Sequence, residues 1–302
     1  MTSTISPPPA VDAVAVVESI ADLVAGNYVF PDVARQLADL LRRRSAEGSY
    51  QAESAEELAE AVTADLRSVN GDLHLALKHH DVPVPRERGA AVLAAMRREF
   101  DASLGGVPRV ELLDGGVAVL EIAPKMFPLD WAAQAGRGAL TGGPAGALIL
   151  DLRRNTGGDP DTVAFVCGYL LDGRTHLNTL LSRQGEVAEQ SWTPPFVPGA
   201  RFGADKPLYV LTSGNTFSAA EELAYDLQQL GRAEVVGEDT RGGAHPRDGW
   251  THPHLELSVP VARAVNPVSG TNWEGTGVRP DVPCDAETAL DRALALAVAR
   301  LA

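Results

Sequence analysis

Positive charge is what this chain most lacks. Its 26 lysines and arginines face 40 aspartates and glutamates across 302 residues, for a formal net charge of -14. Clustered Lys and Arg are what grip a phosphate backbone, so nucleic acid is not expected as a partner. A basic amphipathic stretch suited to an anionic membrane is also missing, and the acidity reads as a device for solubility. Cysteine is scarce: Cys167 and Cys284 stand in unrelated contexts, without the CxxC or Cys/His spacing of a zinc site. Cys167, inside Ala164-Phe165-Val166-Cys167, reads as a small core residue. No apolar run approaches the ~20 residues that a bilayer requires. Met1 to Ala10 has no positive n-region and carries Pro7-Pro8-Pro9, so a disordered start is expected rather than a signal peptide. The expected compartment is therefore the cytoplasm.

What is present is ordinary globular material. Hydrophobic residues make up 45% of the chain, rich in Ala, Val and Leu, enough for one large domain or a domain with a smaller companion. Val11, Val14, Val17, Ala21 and Val24 recur at helical spacing until Gly26-Asn27. Pro31 opens a second helix through Leu41, and Ser54-Ala55-Glu56-Glu57 is a capping-box pattern opening a third to Leu66. Residues 1–70 are thus expected to form a helical module, and 71–302 an α/β core.

In the second part, a helix expected over Arg86–Phe100 precedes short apolar runs that alternate with helical patterns. Val117–Ile122, Gly146–Leu152, Leu208–Leu211 and Glu234–Gly237 predict strands. Helices are expected over Asp161–Leu171, Ala219–Gln229 and from about Ala286, which makes a layered, parallel α/β domain.

Two strand-to-helix turns carry the chemistry. In Thr212-Ser213-Gly214-Asn215-Thr216-Phe217-Ser218-Ala219-Ala220-Glu221 a buried strand ends and a helix begins at Ser218. A hydroxyl there faces unpaired N–H groups at the positive end of a helix, a place that suits a nucleophile generating an oxyanion. The same Ser218…Glu221 spacing is also a capping box, a purely structural device. In Asp151-Leu152-Arg153-Arg154-Asn155-Thr156-Gly157-Gly158-Asp159, two bare glycines let main-chain N–H groups approach a substrate carbonyl. A serine nucleophile needs a base, and His74, His245, His252 and His254 are all candidates by residue type. Glu274, in Thr271-Asn272-Trp273-Glu274, is the candidate orienting acid.

Taken together, these segments resemble peptidase family S41, in the branch similar to interphotoreceptor retinoid-binding protein. The resemblance runs through Asn27-Tyr28-Val29-Phe30-Pro31, Asp72-Leu73-His74-Leu75, Asn155-Thr156-Gly157-Gly158 and Thr216-Phe217-Ser218-Ala219-Ala220-Glu221. It continues through Gly237-Glu238, Thr240-Arg241-Gly242-Gly243-Ala244-His245, Asn272-Trp273-Glu274-Gly275-Thr276-Gly277-Val278 and Pro280-Asp281.

The resemblance implies a crotonase- or ClpP-like core of ββα units beside the helical module. It also implies a serine peptidase with Ser218 as nucleophile, His74 as base, as in the tricorn-like branch, and Glu274 as orienting carboxylate. N–H groups of Gly157 or Gly158 and of Ala219 would form the oxyanion hole; His245 and Asp72 are second-tier residues. Members with a Ser–Lys dyad place the lysine where this chain reads Thr240-Arg241-Gly242-Gly243, and no lysine follows Lys206. Two departures stand out: Leu73 occupies the position of a tricorn-type serine, and no PDZ-like segment is seen, which favours short or unstructured peptides. No cofactor or metal is expected. Other readings of the same residues are small-molecule hydrolysis or cyclisation, and carriage of an apolar ligand.

Overall fold

The computed structural model describes residues 12–84, 90–135 and 145–302. The expected disordered start and the first residues of the helix expected from Arg86 lie outside these. In chain order the elements begin α1 (Ala13–Asn27), α2 (Pro31–Ala46), α3 (Ala55–Arg67), β1 (Ala76–His79), α4 (Ala90–Ala102), β2 (Arg109–Leu113), β3 (Val117–Glu121) and α5 (Leu129–Ala135). Next come β4 (Ala147–Asp151), α6 (Pro160–Leu170), β5 (His176–Leu181), β6 (Val187–Trp192), β7 (Leu208–Thr212), α7 (Ala219–Gln229) and β8 (Glu234–Gly237). The last are β9 (Arg247–His252), β10 (Leu255–Pro260), β11 (Arg263–Val265), β12 (Val282–Pro283) and α8 (Ala289–Leu301).

The chain divides into two compact units. The first, Met1–Gly89 with Pro246–Ala262, extends past the boundary near residue 70 that the helical texture suggests, because a distant hairpin joins it. Each helix in it starts where a cap allows. Asp12 accepts from the Ala15 N–H, Pro31 begins α2, and Ser54 Oγ accepts from the Glu57 N–H at 3.1 Å. Val17, Ile20 and Val24 of α1, Leu37 and Leu41 of α2, and Leu58, Val62 and Leu66 of α3 are buried at helical spacing. They share a core with Leu255, Leu257 and Val259 of β10, which lies between β1 and β9 in an antiparallel sheet.

The second unit is Ala90–His245 with Arg263–Ala302. Its main sheet has the order β12-β8-β7-β4-β3-β2, parallel throughout except for the β2–β3 hairpin. β3, β4 and β7 are buried along their whole length, which is why they read as continuous apolar runs. Val119, Ile149 and Leu211 face Ala289, Ala293 and Ala297 of α8. On the opposite face Leu120, Leu150 and Val210 pack with α6 and α7. A smaller antiparallel sheet has the order β11-β5-β6. Because β4 and β7 are parallel neighbours, their carboxyl ends open side by side, where open α/β sheets place their ligands. No described helix is long and apolar enough to cross a membrane.

Candidate active site

The turns after β4 and β7 are stitched into one structure. Asn155, fully buried, receives the Gly157 N–H on Oδ1 at 2.9 Å and donates Nδ2 to the Ile122 carbonyl at 3.0 Å. Its own carbonyl accepts from the Phe217 N–H at 3.2 Å. Ser213 Oγ donates to the Arg153 carbonyl, and Thr216 Oγ1 to that of Leu152. These bonds satisfy the buried polar groups of both turns and fix one against the other.

Ser218 is held in an unusual backbone conformation, with φ 55° and ψ -123°. A non-glycine residue there costs about 1–3 kcal/mol and persists only where its surroundings over-determine it. Two neighbours do so. Gly157 approaches so closely that a Cβ on it would lie 2.7 Å from Ser218 Cβ and 2.8 Å from the Phe217 carbonyl oxygen. Gly158 leaves no more room, since its Cβ would fall 2.0 Å from the Met126 carbonyl oxygen. Both glycines have positive φ, 96° and 136°. The Gly157 N–H is already committed to Asn155, while among the described residues nothing accepts from the N–H of Gly158 or Ala219.

The second brace is Glu221, fully buried in the first turn of α7. Oε2 accepts from the Ser218 N–H at 2.7 Å and the Gly243 N–H at 3.0 Å; Oε1 accepts from the Gly242 N–H at 2.6 Å and from the Thr240 hydroxyl. Burial pushes its carboxyl up, and these four donors work against that by favouring the carboxylate. The Ser218…Glu221 pattern is thus more than a cap, because the carboxylate ties the serine to the loop 240–243. The spacing betrayed the cap, but nothing in it betrayed the partners from that loop. Asn155 stands in the Asn155-Thr156-Gly157-Gly158 motif, but its bonds to Gly157, Ile122 and Phe217 have no signal in the sequence beyond its place beside the glycine pair.

The loop continues into His245, which is buried and stands 3.9 Å, Nε2 to Oε2, from Glu274. Glu274 Oε2 accepts from the Ala244 N–H at 2.6 Å, and the Trp273 indole donates to the Gly243 carbonyl at 2.9 Å. Burial, helped by Arg263, pushes the His245 imidazole down to about 4, so the ring is neutral at pH 7. The second unit therefore brings together Ser218, Gly157, Gly158 and Ala219, and separately pairs His245 with Glu274.

His74 and Asp72 belong to the first unit. The His74 N–H donates to Asp72 Oδ1 at 2.9 Å, and the His74 carbonyl accepts from Ser258 Oγ at 2.6 Å. Tyr28 OH donates to Asp72 Oδ2 at 2.9 Å, so the Asn27-Tyr28 and Asp72-Leu73-His74 segments meet in this fold. Arg67 donates to the carbonyls of Leu73 and Leu75, bracing the turn from its other side. Burial raises the Asp72 carboxyl, opposed by its hydrogen bonds from Tyr28 and the His74 N–H. The remaining candidates lie on the β9–β10 hairpin: His252 is exposed, and His254 Nδ1 is 3.0 Å from the His80 carbonyl oxygen.

Comparison with known proteins bears on the family and the fold. Residues 138–284 match the model of peptidase family S41, and residues 11–102 match the N-terminal domain of that family in eukaryotic interphotoreceptor retinoid-binding protein. A chloroplastic carboxyl-terminal-processing peptidase 3 of Arabidopsis thaliana is 32% identical over 139 residues, 46% of this chain but 26% of that protein, so the chain aligns with about a quarter of its curated relative. Among solved structures, a lipoprotein from Streptococcus agalactiae superposes with a TM-score of 0.68 at 17% identity, covering 99% of this chain and 100% of that one. The photosystem II D1 C-terminal processing protease gives 0.56 at 17% identity, over 92% and 94%. Those two likenesses establish the fold, which is a mixed α/β fold as expected, and the two family matches span most of the sequence. The chain belongs to peptidase family S41.

Proposed function

We propose that this protein is a serine peptidase that cleaves peptide bonds through an acyl-enzyme on Ser218. The observation that carries the reading is the strained Ser218, at φ 55°, pressed against the backbone of Gly157. Strain of this kind is retained where a turn must present one side chain in one direction. Ser218 Oγ attacks the scissile carbonyl while His74 takes its proton; the same proton then passes to the leaving amine. Water, deprotonated in turn by His74, releases the acid and restores the serine. Glu274 orients the site.

The negative oxygen formed on attack is held by the N–H groups of Gly158 and Ala219. Gly157 is less suited, because its N–H already serves Asn155, so its part is to bring the turn against Ser218. A short or unstructured peptide is the substrate that fits.

The test is peptide hydrolysis by Ser218→Ala, His74→Ala and His245→Ala proteins of wild-type circular dichroism. Ser218→Ala and His74→Ala are each expected to lose at least roughly 10³-fold in kcat. Wild-type turnover by Ser218→Ala contradicts the nucleophile. An inactive His245→Ala beside a fully active His74→Ala moves the base to His245.

A further inference from the structure

Among the described residues, the main sheet of the second unit ends in an edge strand whose charges, Arg109 and Glu111, are of opposite sign. β2 is its terminal strand among the described residues, and Val110 and Leu112, side by side on one face, are 59% and 58% exposed. Natural edges are commonly protected by lysine, by an inward charge or by a bulge; Arg109–Leu113 has no lysine, and its pairing with β3 is regular. The hairpin fixes which groups face out. The Gly116 N–H donates to the Leu113 carbonyl, so Leu113, Glu111 and Arg109 turn their main-chain groups toward β3. Val110 and Leu112 turn theirs to the open side. The next outward position is Pro108, which has no N–H to leave unpaired.

We propose that β2 pairs antiparallel with β2 of a second copy of this chain, about a two-fold axis through Val110 normal to the sheet. In that register Val110 faces Val110, Arg109 faces Glu111, Pro108 faces Leu112 and Val107 faces Leu113. Every cross-strand pair is apolar with apolar or positive with negative. Moving the axis to Glu111 sets glutamate against glutamate and Arg109 against Leu113; moving it to Arg109 sets arginine against arginine. The strand is self-complementary in one register, as an isologous interface requires. Within one strand Arg109 already donates to Glu111 Oε2, from Nε at 2.9 Å and Nη2 at 2.6 Å, so both charges are held on the same face of β2.

The experiment is sedimentation velocity across a micromolar concentration series for the full chain, with R109E, E111R and the double swap R109E/E111R. The wild type is expected to dimerise. Each single reversal sets like charges opposite each other twice and should weaken the dimer roughly tenfold. The double swap rebuilds both pairs with the signs exchanged and should return the dissociation constant to within about threefold of wild type. Circular dichroism and peptide hydrolysis, unchanged in all three, establish that they fold. A wild type that is monomeric throughout overturns the proposal. So does a dimer indifferent to both single reversals, or a double swap no better than either single.

Discussion

The two ends of α7 treat a buried carboxylate in opposite ways. At its start Glu221 collects four donors and holds the Ser218 turn to the loop 240–243. Further along, Asp226 is equally buried but receives a single bond, from Asn266 Nδ2 at 2.9 Å; among the described residues nothing donates to its Oδ2 or to Oδ1 of nearby Asn178. Burial first, and the neighbouring Glu222 second, push the Asp226 carboxyl well above the carboxylate range. Glu222, bonded to Asn178 and partly exposed, is itself pushed up to about 7, chiefly by burial. Burial raises both carboxyls on this helix, but only Glu221 is supplied with donors that work against the rise. Glu221 braces the nucleophile, whereas Asp226 is tied to Asn266 by a single bond.

The largest effect should come from breaking the first end. Glu221→Ala leaves three buried N–H groups and a hydroxyl without an acceptor, and is expected to cost roughly 3–5 kcal/mol by urea unfolding. Glu221→Gln keeps the volume but turns an amide donor toward other donors. It should cost roughly 2 kcal/mol, and by loosening Ser218 lower kcat about 10²-fold. An active, stable Glu221→Gln would mean that the brace is incidental to the serine.

The second end should respond less, and with a pH signature. A carboxyl whose pKa is raised by folding contributes stability that is complete below its unfolded value. That stability is lost as pH rises through the folded value, with a slope of up to about 1.4 kcal/mol per unit. Asp226→Asn, which carries its own donor at every pH, should differ from wild type by less than about 1 kcal/mol at acidic pH. It should gain on wild type steadily toward alkaline pH. Parallel stability–pH curves would show that Asp226 is ionised in the folded protein after all.

The same contrast in donor supply and burial explains how much could be read in advance. β3, β4, β7 and β8 were legible because each is a short apolar run buried on both faces, and α1 to α3 because caps and periodicity agree. β6, with Ala188-Glu189-Gln190-Ser191, and β9, with Asp248-Gly249, gave no such signal, because their exposed faces admit polar residues and turn formers. The hairpin of β9 and β10 also carries the chain back to its first unit, which no local pattern announces. At the site, Ser218 and the glycine pair were visible because a strand-to-helix turn has a local signature. Glu221 looked like an ordinary cap, since three of its four donors come from residues 240–243. The backbone strain at Ser218 left no mark in the sequence at all.

The most direct test of the account is covalent labelling. Wild-type protein and Ser218→Ala are incubated with a fluorophosphonate, weighed intact and digested to map the adduct. A single adduct on the wild type, mapped to Ser218 and absent from the variant, is the predicted result. An adduct that persists in Ser218→Ala, or none on folded wild type, would contradict Ser218 as the activated nucleophile.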